Sequence, residues 1–266
     1  IFDYEKPIGI QIFGGDEEAM AMSAKIVETV QPDLVDINFG CPVKKVVCKG
    51  AGAGVLKDVD LMVRLTKAVI KSTHLPVTVK TRLGWDENSI NIDEVAERLQ
   101  DIGVQALTIH ARTRAQMYKG HSDWSHIARV KNNPRISMPI FGNGDIDSPE
   151  KALEYKNKYG IDGIMIGRAA IGYPWIFNEI KHYFATGEYL PQPNIKDRVI
   201  AAKNHLIWSM EWKGERLGIV EMRRHYTNYF KGIPNFKEHR LKLVTLDEAN
   251  ALFDAFDEIV SVYENK

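Results

Sequence analysis

The sequence predicts an α/β fold, a (β/α)8 TIM barrel followed by a small all-helical domain. Short apolar runs rich in β-branched residues alternate with amphipathic stretches, as strands and helices do in β/α repeats. Polar residues gather where the apolar runs end, and a barrel builds its site at the carboxyl ends of its strands. The chain has 266 residues, 44% of them hydrophobic and 26% charged, which is enough for a large core.

Six apolar runs are predicted to be strands, and most are apolar on both faces, as buried parallel strands are. They cover residues 8–13, 34–38, 77–82, 106–111, 139–142 and 163–167. A closed barrel needs two more strands, so we expect them to precede the first run and to be missing from this chain. The start at Ile1, without an initiator methionine, favours this expectation over an open sheet.

Helix signals lie between the runs and after them. Asp16 is predicted to cap a helix at 17–30, and Ser148 with Pro149 opens a helix at 150–159. The loop 191–193 then breaks the β/α rhythm. We therefore predict a catalytic barrel domain at 1–190 and a helical domain at 191–266. Its helices are expected at 195–212, 218–231 and 246–263.

A cysteine stands where the second predicted strand becomes a loop, in the sequence Asn-Phe-Gly-Cys-Pro at 38–42. Gly40 and Pro42 stiffen this turn, so Cys41 can be aimed at a ligand, although most free cysteines are small buried hydrophobes. Cys41 and Cys48 lack CxxC spacing and histidine partners. We therefore predict neither a metal site nor a disulfide, and we expect a reducing, cytoplasmic setting.

Polar side chains recur at the predicted strand ends. Residues spaced by two share one side of a strand, so Lys80 with Arg82, and His110 with Arg112 and Arg114, are predicted to project together. The alternative is that such residues form the buried ion pairs and hydrogen bonds of an ordinary α/β core. The whole set comprises Gln11, Asn38, Lys80, Arg82, His110, Arg112, Asn143, Asp145 and Arg168.

Two turns of small residues, at 142–145 and 167–170, follow the last two predicted strands. Backbone N–H groups in such turns can approach an anion closely, and barrels often hold a cofactor phosphate after strands seven and eight. Together with Arg168, the turns predict a phosphate site that suits a mononucleotide such as FMN. No GxGxxG motif opens a helix after a strand, so a dinucleotide fold of the Rossmann type is not supported.

These motifs resemble those of the tRNA-dihydrouridine synthases, and within them the bacterial B type. The matching segments run nearly end to end, at 8–14, 36–45, 49–52, 79–84, 110–118, 142–146, 165–168 and 222–225. The resemblance implies an FMN-dependent oxidoreductase that uses NADPH to reduce the C5=C6 bond of D-loop uridines in tRNA. It implies Cys41 as the proton donor to C5. Free thiols ordinarily titrate near ~8.5 and are mostly protonated at neutral pH, so they can act as acids.

The resemblance also assigns the binding residues. Asn38 and Arg82 are expected to contact the uracil, while Arg112 and Arg114 either meet the RNA backbone or form structural salt bridges. The expected flavin contacts are Gln11, Lys80, His110, Asn143, Gly144, Asp145, Gly167 and Arg168.

The helical domain is expected to bind tRNA through a locally basic face that includes Arg223 and Arg224. The alternative for these charges is a solvated helix surface. For Tyr226, Tyr229 and Phe230, a place in the core is favoured over base stacking. A monomer is expected. Two other functions stay open: a flavin enzyme of a free pyrimidine, similar to the dihydroorotate dehydrogenases, and a non-catalytic tRNA-binding protein.

Overall fold

A computed structural model describes residues 1–264 and shows two compact units. The sheet unit comprises Ile1–Ile146 and Lys151–Ile166, and the helical unit comprises Asp147–Glu150 and the chain from Gly167 onward. Among the residues described, no helix combines the length and the apolar character needed to cross a membrane.

The sheet unit is built on six parallel strands that neighbour one another in chain order. Helices connect successive strands, which is the arrangement of strands in a β/α barrel, so the predicted fold class is confirmed. The strands are β1 (Gly9–Ile12), β2 (Leu34–Asn38), β3 (Val77–Arg82), β4 (Ala106–His110), β5 (Ile140–Asn143) and β6 (Gly163–Met165). The helices of this unit are α1 (Glu17–Glu28), α2 (Lys44–Val47), α3 (Val59–Ile70), α4 (Ile92–Asp101) and α5 (Ser125–Lys131), and α6 (Pro149–Tyr159) spans the boundary in sequence.

Helix starts in the sheet unit follow the side-chain chemistry of the cap residues. The Asp16 carboxylate accepts a hydrogen bond from Ala19 N at 2.8 Å and so begins α1, as predicted. Asp58 begins α3 in the same way, accepting from Leu61 N at 2.8 Å. Both helices return the chain to the start of the next strand.

The strands differ from the prediction that both of their faces are apolar. One face is fully buried and aliphatic, with Val35, Ile37 and Val79 at 0% exposure. The alternate residues of the same strands are polar, such as Asp36 and Lys80, and they are half-buried. This second, polar face of the sheet can therefore contact a ligand.

The helical unit contains α7 (Ile176–Thr186), α8 (Ile195–Lys213), α9 (Glu215–Tyr229), α10 (Lys237–Thr245) and α11 (Ala249–Tyr263). Asn194 begins α8 with a reciprocal capping box, in which its side chain accepts from Asp197 N and Asp197 accepts from Asn194 N. Tyr226, Tyr229 and Phe230 lie in its core at 0%, 6% and 3% exposure, as the sequence favoured.

The units divide at Gly167 rather than at the predicted boundary of 190/191. Helix α7 therefore groups with the helices that follow it, and Trp175 at its start packs against their hydrophobic core. Helix α10 was not predicted, because it buries one residue, Leu243, and shows no apolar stripe.

Candidate active site

One face of the sheet carries Val35, Ile37 and Val79, and we call the opposite face the inner face. The strand register stacks polar side chains in rows on this inner face. Aligned positions of parallel neighbours point the same way, and alternate residues of one strand share a face. The first row is Gln11, Asp36 and Thr78; the second is Asn38, Lys80 and Thr108; the third is Arg82, His110 and Asn143. The structure thus brings together most of the predicted residues of the sheet unit.

A chain of hydrogen bonds ties the first row to the second. Gln11 Nε2 donates to Asp36 Oδ2 at 2.6 Å, and Thr78 Oγ1 donates to Asp36 Oδ1 at 2.7 Å. Gln11 Oε1 accepts from Asn38 Nδ2 at 2.7 Å. Burial raises the pKa of Asp36, against the hydrogen bonds from Gln11 and Thr78. Sequence reasoning missed Asp36, although an acidic residue inside the apolar run 34–38 was a usable signal.

Asn38 fixes the turn that carries Cys41. Its Oδ1 accepts from the backbone amides of both Gly40 and Cys41, each at 2.9 Å. On the other side of the turn, Ala53 N donates to Cys41 O at 3.0 Å. Asn38 therefore positions the Cys41 turn, and a uracil contact by its amide stays a prediction. Cys41 is half-buried, whereas Cys48 is exposed.

Lys80 stands beside Asn38 in the second row with its ammonium group available. Its Nζ makes no hydrogen bond or ion pair to any of the described residues. Burial and the neighbouring Arg82 lower the pKa of Lys80 from 10.5 to about 8, while Asp36 and Cys41 oppose this change. Lys80 is therefore mainly protonated at neutral pH and offers free donors to a ligand.

Arg82 is buried at 3% exposure and connects the Cys41 turn to the loop after β4. Its Nε donates to Gly40 O at 2.8 Å, and its Nη1 donates to Thr113 O and to Met117 O at 2.9 Å. No carboxylate pairs with it within 1–264. The predicted uracil contact is thus limited to Nη2, since Nε and Nη1 hold the protein together.

His110 occupies the third row as a neutral imidazole. Burial, aided by the charges of Arg82, Lys80 and Arg112, lowers its pKa from 6.5 to about 3. Its Nδ1 is buried and has no partner within the described chain. The Tyr118 ring lies edge-on to the imidazole at 6.5 Å and 5.7 Å from the Arg82 guanidinium. Sequence reasoning did not assign Tyr118, although it closes the matched segment 110–118.

Arg112 and Asp145 pair with each other, with the arginine buried and the carboxylate half-buried. Arg112 is 2% exposed and donates to both carboxylate oxygens of Asp145, at 2.9 and 2.6 Å, and to Lys119 O and Gly120 O. The salt bridge expected as the alternative for Arg112 is present, and an RNA contact by Arg112 stays a prediction. Burial opposes ionisation, but the Arg112 and Ser122 hydrogen bonds lower the pKa of Asp145 to about 2.

For Asp145, the predicted flavin contact stays a prediction. Its carboxylate also accepts from Ser122 N at 3.0 Å. The prediction that His110, Arg112 and Arg114 project from one side of a strand is wrong. Strand β4 ends at His110, and the chain then turns, with Arg112 N donating to His110 O at 2.8 Å.

Arg114 lies on the loop after β4, against the Trp85 ring. Its guanidinium is 4.5 Å from the ring centre, and the Lys57 ammonium is 3.8 Å from the same ring. The Nε of Arg114 is buried without a hydrogen-bond partner in the described residues. An RNA contact by Arg114 stays a prediction.

The turn at 142–145 has a packing reason for its first glycine. A Cβ on Gly142 would lie 1.9 Å from the Trp124 ring, so this glycine admits the indole. The backbone at Gly144 has φ +134°, which favours glycine, and its carbonyl accepts from Trp124 Nε1 at 3.1 Å. Asn143 donates from Nδ2 to Met165 O at 2.8 Å and so joins β5 to β6.

Four further predicted residues belong to the helical unit. Gly167 and Arg168 are exposed directly after β6, and a Cβ at Gly167 would meet open space. Their contribution to a phosphate site stays a prediction. On α9, Arg223 donates to Leu246 O at 3.2 Å and its Nε is buried, which disfavours an RNA contact. Arg224 is exposed and 3.4 Å from Glu221.

Part of the predicted basic face is neutralised within the helical unit. Lys203 pairs with Asp257, and Lys242 pairs with Glu258 at 2.7 Å. Exposed ion pairs of this kind reduce the positive field that a nucleic acid would meet. The sequence count of basic residues therefore overstated this face.

The inner face of the sheet fits a flavin. A flavin presents ring nitrogens and carbonyl oxygens along one edge, and it needs donors there that the protein does not already use. Lys80 Nζ and the buried Nδ1 of His110 are such groups, on neighbouring strands. In the described part of the chain, no group of three or more His, Cys, Asp or Glu residues could hold a metal ion.

Comparison with known proteins identifies the family. The family model described as dihydrouridine synthase (Dus) matches residues 2–260. The chain belongs to the dihydrouridine synthase family. It is therefore an enzyme and an oxidoreductase, as predicted.

Individual relatives agree with this assignment. A probable tRNA-dihydrouridine synthase 1 of Synechocystis sp. is 40% identical over 257 residues, which cover 97% of this chain and 72% of the relative. The tRNA-dihydrouridine synthase B of Pseudomonas putida is 40% identical over 249 residues, covering 92% and 72%. The predicted resemblance to the B type of dihydrouridine synthase is thus confirmed.

Among solved structures, the old yellow enzyme from Trypanosoma cruzi is similar to this chain, with a TM-score of 0.49 and 12% sequence identity. The match covers 68% of this chain and 50% of the old yellow enzyme chain.

Proposed function

We propose that this dihydrouridine synthase reduces uridine in tRNA, with FMN as its bound cofactor and NADPH as the reductant. The observation that carries the proposal is the Cys41 turn, which Asn38 holds next to the free ammonium of Lys80. A half-buried thiol beside two cationic side chains suits a reaction that adds a proton to a ring that becomes anionic.

Cys41 delivers the proton. Saturating the C5=C6 bond of uracil adds a hydride to C6 and a proton to C5, so an acid must lie against the ring. The two backbone hydrogen bonds to Asn38 Oδ1 hold the turn that carries the thiol. A thiol in the protonated form needs no activating base for this role, and no imidazolium is on offer, because His110 is held neutral.

FMN, when bound and reduced by NADPH, supplies the hydride for C6. Lys80 would hold its pyrimidine edge, and His110 Nδ1 would accept or donate a further hydrogen bond there. The backbone of Gly144 is proposed to contact the flavin. For Gly167 and Arg168 of the helical unit, a phosphate contact stays a prediction. A flavin contact by Gln11 stays a prediction, and its side chain also hydrogen-bonds to Asp36 and Asn38.

The uridine must leave the tRNA stack to reach Cys41. Enzymes that act on a base turn it out of the helix or loop, at a cost of a few kcal/mol for unstacking. The side chains on the inner face of the sheet would then receive a single base. The helical unit is proposed to bind the remaining tRNA, and the proposed target is a uridine of the D-loop. We propose that the protein acts as a monomer in the cytoplasm.

The deciding experiment measures dihydrouridine by nucleoside mass spectrometry in unmodified tRNA incubated with NADPH and FMN. We expect Cys41→Ala to lower its formation by about 10²–10⁴-fold, since positioned acids contribute on that scale. Cys48→Ala is the matched control, because Cys48 is the other cysteine and is exposed. NADPH oxidation should persist in both variants.

Full activity in Cys41→Ala would remove the thiol from the mechanism. Wild-type protein that oxidises NADPH and reduces free uracil or orotate, but not tRNA, would instead indicate a free-pyrimidine enzyme. Affinity for tRNA without flavin would indicate the non-catalytic binder.

A further inference from the structure

Three lysines follow Cys41 on one short segment without any acidic residue. We name residues 43–50, Val-Lys-Lys-Val-Val-Cys-Lys-Gly, the lysine segment. Lys44, Lys45 and Lys49 are all exposed, and none forms an ion pair or side-chain hydrogen bond with the described residues. The segment therefore carries three uncompensated positive charges.

The lysine segment differs in grouping three such charges within six residues, since Lys67 and Lys71 of the same unit are also exposed without ion pairs. The chain as a whole has 35 basic and 35 acidic residues and a net charge of 0. Many other surface cations of the unit contact a carboxylate. The pairs are Arg64–Glu17, Arg98–Asp60, Arg129–Asp93, Lys131–Asp162 and Arg135–Glu97. A local excess of one sign attracts an anionic ligand to that part of the surface.

The backbone of the lysine segment is held in place. Cys48 N donates to Lys44 O at 2.9 Å. At Gly15, an added Cβ would lie 2.6 Å from Gly50 O, so the turn after β1 packs directly on the end of the segment. At Gly54, an added Cβ would lie 3.0 Å from Val47 O. Lysines on a fixed backbone lose less conformational freedom when they bind.

The segment is close to the reacting thiol. Lys44 is three residues from Cys41, so their Cα atoms are at most about 11 Å apart. A uridine turned out of its stack keeps its own phosphate and that of the next nucleotide. These phosphates carry negative charge regardless of sequence, and lysines are common partners for them.

We infer that Lys44, Lys45 and Lys49 bind RNA phosphates next to the target uridine. This inference rests on the proposed function and adds a substrate site that lies outside the rows on the inner face of the sheet. The lysines bind the substrate chain, while Cys41 carries the chemistry.

The test is the triple variant Lys44→Gln/Lys45→Gln/Lys49→Gln in the full chain loaded with FMN. We expect its KM for tRNA to rise at least about 10-fold, with flavin content and the rate of flavin reduction by NADPH unchanged. The plot of log affinity against log salt concentration should lose about 2 from its slope, since each phosphate contact contributes ~0.7–0.9.

Two control variants isolate the charge and the location. Lys67→Gln/Lys71→Gln removes exposed lysines without ion pairs at the C-terminal end of α3. The chain runs from there to the start of β3, so these lysines lie toward the amino-terminal ends of the strands. It should leave KM and the salt slope unchanged. The triple arginine variant at 44, 45 and 49 keeps the charge and should retain at least about a third of the wild-type affinity.

The outcomes separate this inference from the proposed function. Wild-type protein that makes no dihydrouridine in tRNA would overturn the proposed function itself. Active wild-type protein with an unchanged KM and salt slope in the triple glutamine variant would overturn the lysine site alone. An equal loss in the triple arginine variant would also overturn it, because the charge would then not be the cause. Melting curves confirm that each variant is folded, and single glutamine variants replace any that is not.

Discussion

Two buried arginines at neighbouring strand ends have opposite surroundings. Arg82 ends β3 and donates to three carbonyl oxygens, with no carboxylate beside it in the described chain. Arg112 lies two residues after β4 and binds both oxygens of Asp145. They are 3% and 2% exposed, so burial does not distinguish them.

The difference shows where positive charge is retained for a ligand. Around Arg112 the charge is cancelled, and the pair joins two loops of the sheet unit. Around Arg82 it is not cancelled, and it adds to that of Lys80 beside the Cys41 turn. An uncompensated buried cation is costly, so its presence marks a site that an anionic group or a developing negative charge completes.

The largest effect on stability should come from the compensated side. Arg112→Met removes the guanidinium that binds both oxygens of the half-buried Asp145 carboxylate, and we expect the free energy of unfolding to fall by about 3 kcal/mol. Urea denaturation measures this change. Adding Asp145→Asn should recover part of the loss, since the stranded charge is then removed. Strictly additive losses in the double variant would contradict the pairing as a source of stability.

A substitution of Arg82, whose charge is not compensated, should mainly lower the enzymatic activity. Arg82→Met removes the cation and the bonds that hold Gly40, so we expect dihydrouridine formation to fall about 10²-fold, or about 3 kcal/mol of transition-state stabilisation. The free energy of unfolding should change by about 2 kcal/mol or less, because a buried unpaired charge disappears with the lost hydrogen bonds. Steady-state kinetics and urea denaturation on the same preparation test this, and activity within threefold of wild type would refute it.

The smallest expected effect is a pH dependence of the free energy of unfolding that arises from Asp145, the partner of Arg112. The pKa of Asp145 is about 2 in the folded protein and 3.8 ordinarily. As the pH falls, the unfolded chain therefore binds this proton first, and stability present above about pH 4–5 is lost toward pH 2. The loss is about 2 kcal/mol.

The Arg112→Met/Asp145→Asn variant should lack this component when thermal unfolding is followed from pH 5 to 2. His110 contributes a separate loss at higher pH, between 6.5 and about 3, since its folded pKa is lowered and the unfolded chain binds its proton first. That loss is common to both proteins, so their difference isolates Asp145. Parallel pH curves would argue against the assignment.

Much of the sheet was predictable because strand and cap signals are local. Strands β2 and β3 have the predicted bounds, and Asp16 caps α1. The end of β4 was missed, because polar residues spaced by two, such as His110 and Arg112, have the same sequence pattern whether the strand continues or turns. Helix α10 was missed because little of it is buried.

The site was predictable by residue type but not by partner. The sequence predicted Lys80 and Arg82 as neighbours on one side of their strand and Cys41 as the reacting group, and the register places Lys80 next to Asn38. It could not predict that Asn38 is used by the Cys41 turn, or that Arg112 is neutralised by Asp145, 33 residues away. Such pairings depend on how loops meet in space, which no local spacing encodes.

The hydrogen bond from Asn38 to Gln11 makes the reacting thiol dependent on the four-residue strand β1. Short strands open more readily than the protein unfolds, and each opening of β1 removes one of the partners that hold the Asn38 amide. Opening of β1 would then loosen the Cys41 turn while the rest of the fold stays intact. A protein that still has its full circular dichroism signal can in this way already have lost its chemistry.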